Sequence, residues 1–170
     1  MKCLPMKTGN SELNKIIELL LGSKLIGFEI PKNQSLSCTW SLRLFFENCS
    51  DVLCCSSDVA SAGNGDWQEY GFLKLDITDE SSLGSRDKFN FREITPIAFT
   101  KVSKLVNNED DVVAECGLLM TTEEEKQVVI STAPAPGAVT VKAEFYDGEY
   151  DPEILFEDLQ QTKLNGQPLY

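Results

Sequence analysis

Period-two alternation between residues 111 and 145 constrains this chain more than any other feature. In Val112–Met120, the residues Val112, Ala114, Cys116, Leu118 and Met120 alternate with Val113, Glu115, Gly117 and Leu119. In Ala138–Phe145, Val139, Val141 and Phe145 alternate with Thr140, Lys142 and Glu144, and a third apolar run, Gln127–Thr132, lies between them. Successive side chains of a strand point to opposite faces, so alternation bounded by turn residues predicts antiparallel strands. Thr121–Lys126 is short enough for a hairpin, and Pro134–Gly137 punctuates the next turn.

The same pattern recurs upstream. Lys24–Ile30 reads as a strand ending at Pro31. Thr39–Glu47 places Trp40, Leu42, Leu44 and Phe46 on one face, with Ser41, Arg43 and Glu47 on the other, which makes Trp40 a core residue. A turn at Asn48–Asp51 leads to a short strand, Val52–Ser57, then a Gly-rich loop over 58–68. Tyr70–Ile77 resumes with Leu73, Leu75 and Ile77 inward. The polar stretch 78–92 reads as a surface loop, and Ile94–Asn107 as one further strand before the acidic turn Asn107–Asp111.

Two segments carry helical signals. Asn10–Gly22 has Asn10 or Ser11 as cap, the stripe Leu13, Ile16, Ile17, Leu20 and Leu21, and Gly22 as terminator. Pro152–Lys163 has Asp151 as cap and Pro152 in its first turn. Residues 1–9 read as an unstructured leader, and 165–170 should fray. Eight strands and two helices predict an α+β, mostly β chain. The expected architecture is an antiparallel β-sandwich or partly open barrel with an N-terminal and a short C-terminal helix, formed as a single domain over residues 1–170. A chain of 170 residues is long enough for a full core without disulfide staples.

Histidine is absent, which removes Ser-His-Asp and Cys-His catalysis and His-containing zinc sites. The six cysteines include no C-x-x-C, so no metal is expected, and without a secretory signal they read as reduced thiols of a cytoplasmic protein, mostly small core hydrophobes. Gly63 and Gly65 form a G-x-G with no following helix and no GK[ST], so no phosphate site and no cofactor are expected. The turn DGEYDPE lacks the calcium-loop pattern and reads as solvated. The chemistry left is recognition rather than catalysis.

Charge has two readings, a solvated face that keeps a small protein soluble and a surface that selects a partner. The formal net charge is −12, and Glu109–Asp158 holds 14 acids against Lys126 and Lys142; the rest of the chain has 13 acids and 13 bases. A one-sided negative field repels nucleic acid and anionic membrane and speeds encounter with basic partners. Candidate partner-binding residues are Glu109, Asp110 and Asp111, then Glu123, Glu124 and Glu125, then Asp147, Glu149, Tyr150 and Asp151. The wider acidic runs 109–115 and 144–157 join them, with Trp67 or Tyr150 as aromatic anchor.

Several segments together resemble bacterial immunity proteins of contact-dependent growth inhibition systems. These are GSKLIGFEI, WSLRLFFENCSDVLCCSS, DWQEYGFLKL, VAECGLLM and VVISTAPAPGAVTV. The resemblance implies an inhibitor that binds a cognate, nuclease-like basic toxin domain, and it implies no catalytic residues. Two other classes stand beside it. One is a small-ligand-binding β protein with an apolar cavity on the order of 300 Å³ or more between strand faces. The other is a homodimer or larger homo-oligomer that pairs exposed strand edges.

Overall fold

The computed structural model describes residues 1–63 and 67–164; the second glycine of the G-x-G and the segment expected to fray lie outside the described residues. The strands are β1 (Lys2–Leu4), β2 (Leu25–Pro31), β3 (Leu42–Phe46), β4 (Asp51–Ser61), β5 (Glu69–Asp79), β6 (Phe89–Ile97), β7 (Lys101–Asn108), β8 (Val112–Thr121), β9 (Gln127–Thr132), β10 (Val139–Lys142) and β11 (Gln160–Lys163). One α-helix, α1 (Leu13–Gly22), precedes β2. The expected mostly β, α+β sandwich is what forms. One sheet has the order β10-β9-β8-β7-β11, with β1 added beside β8, and the other has the order β5-β4-β3-β2-β6.

Inward positions of both sheets meet in one core. Leu118, Met120, Val128, Ile130, Val139 and Val141 come from the six-stranded sheet, and Leu42, Leu44, Leu53, Leu73 and Leu75 from the five-stranded one. The helix adds Ile16, Leu19 and Leu20 to this core, while Glu12, Asn14, Lys15 and Glu18 stay exposed. Leu21, assigned to the apolar stripe, is instead 43% exposed, and Leu19 takes the buried place.

Bulges break the strict alternation. Leu105 pairs with Gly117 but Val106 with Glu115, so Cys116 is an extra residue in β8. Gly117 is required there, because a Cβ would lie 2.9 Å from Leu105. On the N-terminal side of the bulge, Val112 and Ala114 pack with Leu4, Tyr70 and Phe72 instead of joining the main core.

Several expectations fail for identifiable reasons. Residues 1–9 are not a free leader: β1 runs parallel to β8, and Lys7 bonds Leu73 and Leu75 on the outer side of β5. Neither Asn10 nor Ser11 caps α1. Its N-cap is Glu12, which makes no side-chain cap bond, because the Ser11 hydroxyl donates to Asp76 and accepts from the Ile77 amide. The segment 58–61 extends β4, which runs unbroken against β5 from Asp51–Asp79 to Ser61–Glu69. The polar stretch 78–92 yields two 3-10 turns, Glu80–Ser82 and Arg86–Lys88, and the first residues of β6. The single strand expected over Ile94–Asn107 is two, β6 and β7, separated at residues 98–100.

The helix expected over Pro152–Lys163 is not there. Phe156–Asp158 is a 3-10 turn, and β11 pairs antiparallel with β7. Before it, the segment 146–159 crosses the outer face of the six-stranded sheet as a strap. Tyr150, Phe156 and Leu159 pack on Leu105, Leu119 and Val129.

Candidate binding surface

The β7–β8 turn carries Glu109, Asp110 and Asp111. Reciprocal backbone bonds between Glu109 and Val112 close it, at 2.8 and 3.2 Å, and the Lys2 amide donates to the Asp111 carbonyl at 2.9 Å. Lys2 also donates its ammonium to the Ser61 carbonyl at 2.7 Å, which ties this turn to the far end of the β4–β5 hairpin. Trp67 lies in that hairpin's connection and is 96% exposed. Trp67 and Glu109–Asp111 therefore share one end of the sandwich.

The β8–β9 turn carries Glu123, Glu124 and Glu125, all exposed, at the opposite end. It is closed by the Thr122 amide on the Lys126 carbonyl and by the Lys126 amide on the Thr122 hydroxyl. Glu125 holds φ +65°, a left-handed conformation in which a side chain costs about 1–2 kcal/mol relative to glycine. The ten residues of β8 separate the two acidic turns by roughly 30 Å at about 3.3 Å per residue. That exceeds the ~8 Å Debye length at physiological salt, so each turn acts as its own local charge.

The third group, Asp147, Glu149 and Asp151, lies on the strap between the two turns. The Ser37 hydroxyl meets the Tyr146 hydroxyl and donates to the Glu149 carbonyl, and the Asp151 amide donates to the Thr140 hydroxyl at 3.1 Å. All three carboxylates are on exposed residues. Tyr150 is different: its ring is half-buried, its hydroxyl bonds Ser131 at 2.7 Å, and burial raises its phenol pKa. It pins the strap to the sheet.

Two acids of the wider runs also face inward. Glu115 pairs with Lys104 and accepts from the Met6 amide at 2.8 Å. Glu153 accepts from the Gly71 amide and the Thr132 hydroxyl, and burial raises its pKa. These two carboxylates are structural.

Near the β8–β9 turn an open cleft of about 510 Å³ runs between residues 95–100 and the turn. Glu123, Glu124 and Glu144 line it together with Lys24, Lys126 and Phe145. Lys126 lies 3.2 Å from Glu144, both well exposed. The recess is at the rim, not between the inner sheet faces, which are filled by the core.

Sequence reasoning missed two features. Trp40, expected in the core, is 67% exposed, because β3 begins only at Leu42 and a Thr39–Val139 bridge turns the preceding residues outward. Arg43, expected in solvent, is buried against Glu29 at 2.7 Å. Local sequence carries no signal of the covering segment 80–88 that buries it.

Of the six cysteines only Cys55 and Cys116 are buried; Cys3 and Cys38 are exposed and Cys49 and Cys54 half-buried, so most are not the core residues expected. Burial raises the pKa of Cys55 and Cys54 and pushes Cys116 up to about 12, and all six cysteines are free. Among the described residues no three Cys, Asp or Glu side chains are grouped to hold a metal ion, and no helix is long and apolar enough to cross a membrane. Compared with known protein families, curated proteins and solved structures, the chain matches none.

Proposed function

We propose that this chain is a non-catalytic binding protein that docks a basic protein domain over the outer face of its six-stranded sheet. The observation that carries the reading is the framing of that face by three acidic groups, one at each end of β8 and one on the strap between. A standard interface covers about 800 Å² per partner, roughly 30 Å across, enough for one partner to reach all three groups. Steering by such a field raises association rates and favours cationic partners. Trp67 and Trp40 supply exposed aromatic surface. The resemblance to immunity proteins gives the partner a chemistry: a toxin domain with a cationic, nucleic-acid-binding cleft, neutralised in the bacterial cytoplasm.

The strained Glu125 supports an interaction role for the β8–β9 turn, since glycine would fit that backbone better. Glu125→Gly is expected to stabilise the free protein by about 1 kcal/mol in urea unfolding while weakening partner capture. A stabilised variant that captures equally well removes this support.

The direct test is capture from the native cell at low salt, comparing wild type with a variant in which Glu123, Glu124, Glu125, Asp147, Glu149 and Asp151 become Lys. A stoichiometric basic protein held by wild type and lost by the variant is the expected result. Equal capture by both sinks the docking face. A captured partner with no toxic activity for this chain to suppress would sink the immunity reading and leave the docking reading standing.

A further inference from the structure

The two edges of the five-stranded sheet are treated differently by the rest of the chain. Along β5, the Gly71 amide is taken by Glu153, the Leu73 carbonyl and Leu75 amide by Lys7, and the Ile77 amide by the Ser11 hydroxyl. That edge is closed. Along β6 no strand lies beyond it among the described residues, and Phe89–Glu93 is largely exposed.

Hydrogen-bond phase tells which groups this open edge offers. The Lys32 amide donates to the Lys88 carbonyl at 2.9 Å, and the register Ile30–Asn90 and Phe28–Arg92 continues it. Alternation in an antiparallel ladder then directs Asn90 and Arg92 toward β2. The amides and carbonyls of Phe89, Phe91 and Glu93 point away from the sheet. Phe91, in the middle, is 48% exposed and stands edge-on to Phe45 at 5.2 Å. It lies over Gly27, where a Cβ would meet its ring at 2.5 Å.

We propose that this edge pairs with the same edge of a second copy, joining two five-stranded sheets into one ten-stranded sheet about a two-fold axis at Phe91. A two-fold axis perpendicular to an antiparallel pair sets a residue opposite its own copy, in either a hydrogen-bonded or a non-hydrogen-bonded pair. Centring on Arg92 opposes two like charges, and centring on Asn90 sets Arg92 across from Lys88. Centring on Glu93 opposes two carboxylates.

Centring on Phe91 opposes two phenyl rings. It also sets Arg92 across from Asn90 and Glu93 across from Phe89. The Arg43 guanidinium stacks on the Phe89 ring at 3.7 Å, so each Glu93 approaches a cation of the other copy. Six backbone hydrogen bonds form, two for each opposed pair among Phe89, Phe91 and Glu93.

Charge also favours a second copy here. The −12 of this chain is confined to Glu109–Asp158, and β6 lies outside that window. Within Arg86–Glu93, three bases stand against two acids. Two chains that repel elsewhere can meet at this edge.

The test is light scattering coupled to gel filtration from micromolar to about 0.5 mM, where mass action favours association. Wild type is expected to approach twice its 18.9 kDa chain mass. Glu93→Pro removes an outward amide without touching the β2 ladder, so it should remain monomeric with unchanged thermal unfolding. In a Cys3→Ser, Cys38→Ser background, Phe91→Cys should cross-link to its own copy on oxidation, because opposed Cα atoms lie about 5.5 Å apart. A wild-type monomer at every concentration overturns the proposal, as does a dimer that survives Glu93→Pro or a Phe91→Cys protein that fails to cross-link.

Discussion

Over the six-stranded sheet the chain lays apolar side chains and neutral hydrogen bonds; over the five-stranded sheet it lays charges. Tyr150, Phe156 and Leu159 close the first outer face on Leu105, Leu119 and Val129. The second is closed by Glu29, which accepts from Arg43 at 2.7 Å and from Arg86 at 2.9 and 3.1 Å, with Glu80 3.2 Å beyond Arg86. Arg43 stacks on Phe89 and donates to the Gly84 carbonyl, while Arg86 lies 5.2 Å from the Phe45 ring. The acidic segment 109–158 thus covers its sheet through apolar contacts and leaves most of its carboxylates outside. The neutral remainder of the chain turns charges inward.

The largest expected effect separates these strategies. Glu29 has 3% of its side chain exposed and Arg43 11%, so Glu29→Ala strands a buried guanidinium. A loss of about 3–5 kcal/mol in urea unfolding is expected, because breaking a buried pair from one side leaves an uncompensated charge. The double change Glu29→Met, Arg43→Leu should recover most of it. If Glu29→Ala costs less than about 1 kcal/mol, both faces are held by packing alone and the contrast disappears.

The apolar face comes next. Phe156→Ala removes a half-buried ring, for which about 2 kcal/mol is expected, below the 3–5 of a fully buried Phe. Its signature is local: the β11–β7 pairing, Gln160–Val106 to Lys163–Ser103, should lose hydrogen-exchange protection before the core does. Uniform loss across both sheets would mean that the strap is part of the cooperative core.

How far these faces were legible follows from the range of the interactions. The central strands are local patterns, and Val112–Thr121, Gln127–Thr132 and Val139–Lys142 form close to where alternation places them. The strap was invisible for a physical reason. Asp151-Pro152 followed by Ile154, Leu155 and Leu159 satisfies helix-start rules, but the open edge of β7 supplies backbone partners that Gln160–Lys163 takes instead. The acidic turns were placed correctly as turns, whereas their distribution to opposite ends of β8 follows from pairing. Trp40 and Arg43 exchanged expected environments because a bridge at Thr39 and the segment 80–88, both tertiary features, decide which side of a strand is wet.

Glu153 is the exception on the apolar face and gives a smaller, signed prediction. Burial raises its pKa above the ordinary glutamate value of 4.5, so the folded chain holds this proton more tightly than the unfolded one. Its contribution to stability is complete below that value and is lost as pH rises through the folded pKa. Glu153→Gln keeps an oxygen for the Gly71 amide and the Thr132 hydroxyl, and it should flatten this decline, leaving stability at pH 7 equal or higher. Stability measured from pH 4 to 7 decides the point. A variant weaker than wild type at pH 7 would show that the ionised carboxylate holds the strap, making both faces charge-dependent.

The smallest effect lies at the outer end of the charged face. Glu80 has 46% of its side chain exposed and Arg86 40%, so their pair competes with water and salt. Arg86 keeps both bonds to Glu29 without Glu80, and the segment remains anchored by the Glu80 amide on the Ser50 carbonyl, a bond that Ala retains. Glu80→Ala should therefore change stability by no more than about 0.5 kcal/mol, with little further change in added salt. A loss near that of Glu29→Ala would mean that Arg86 needs both carboxylates to stay folded down. The five-stranded sheet would then be closed by one cooperative four-charge unit, not by a buried pair with an exposed margin.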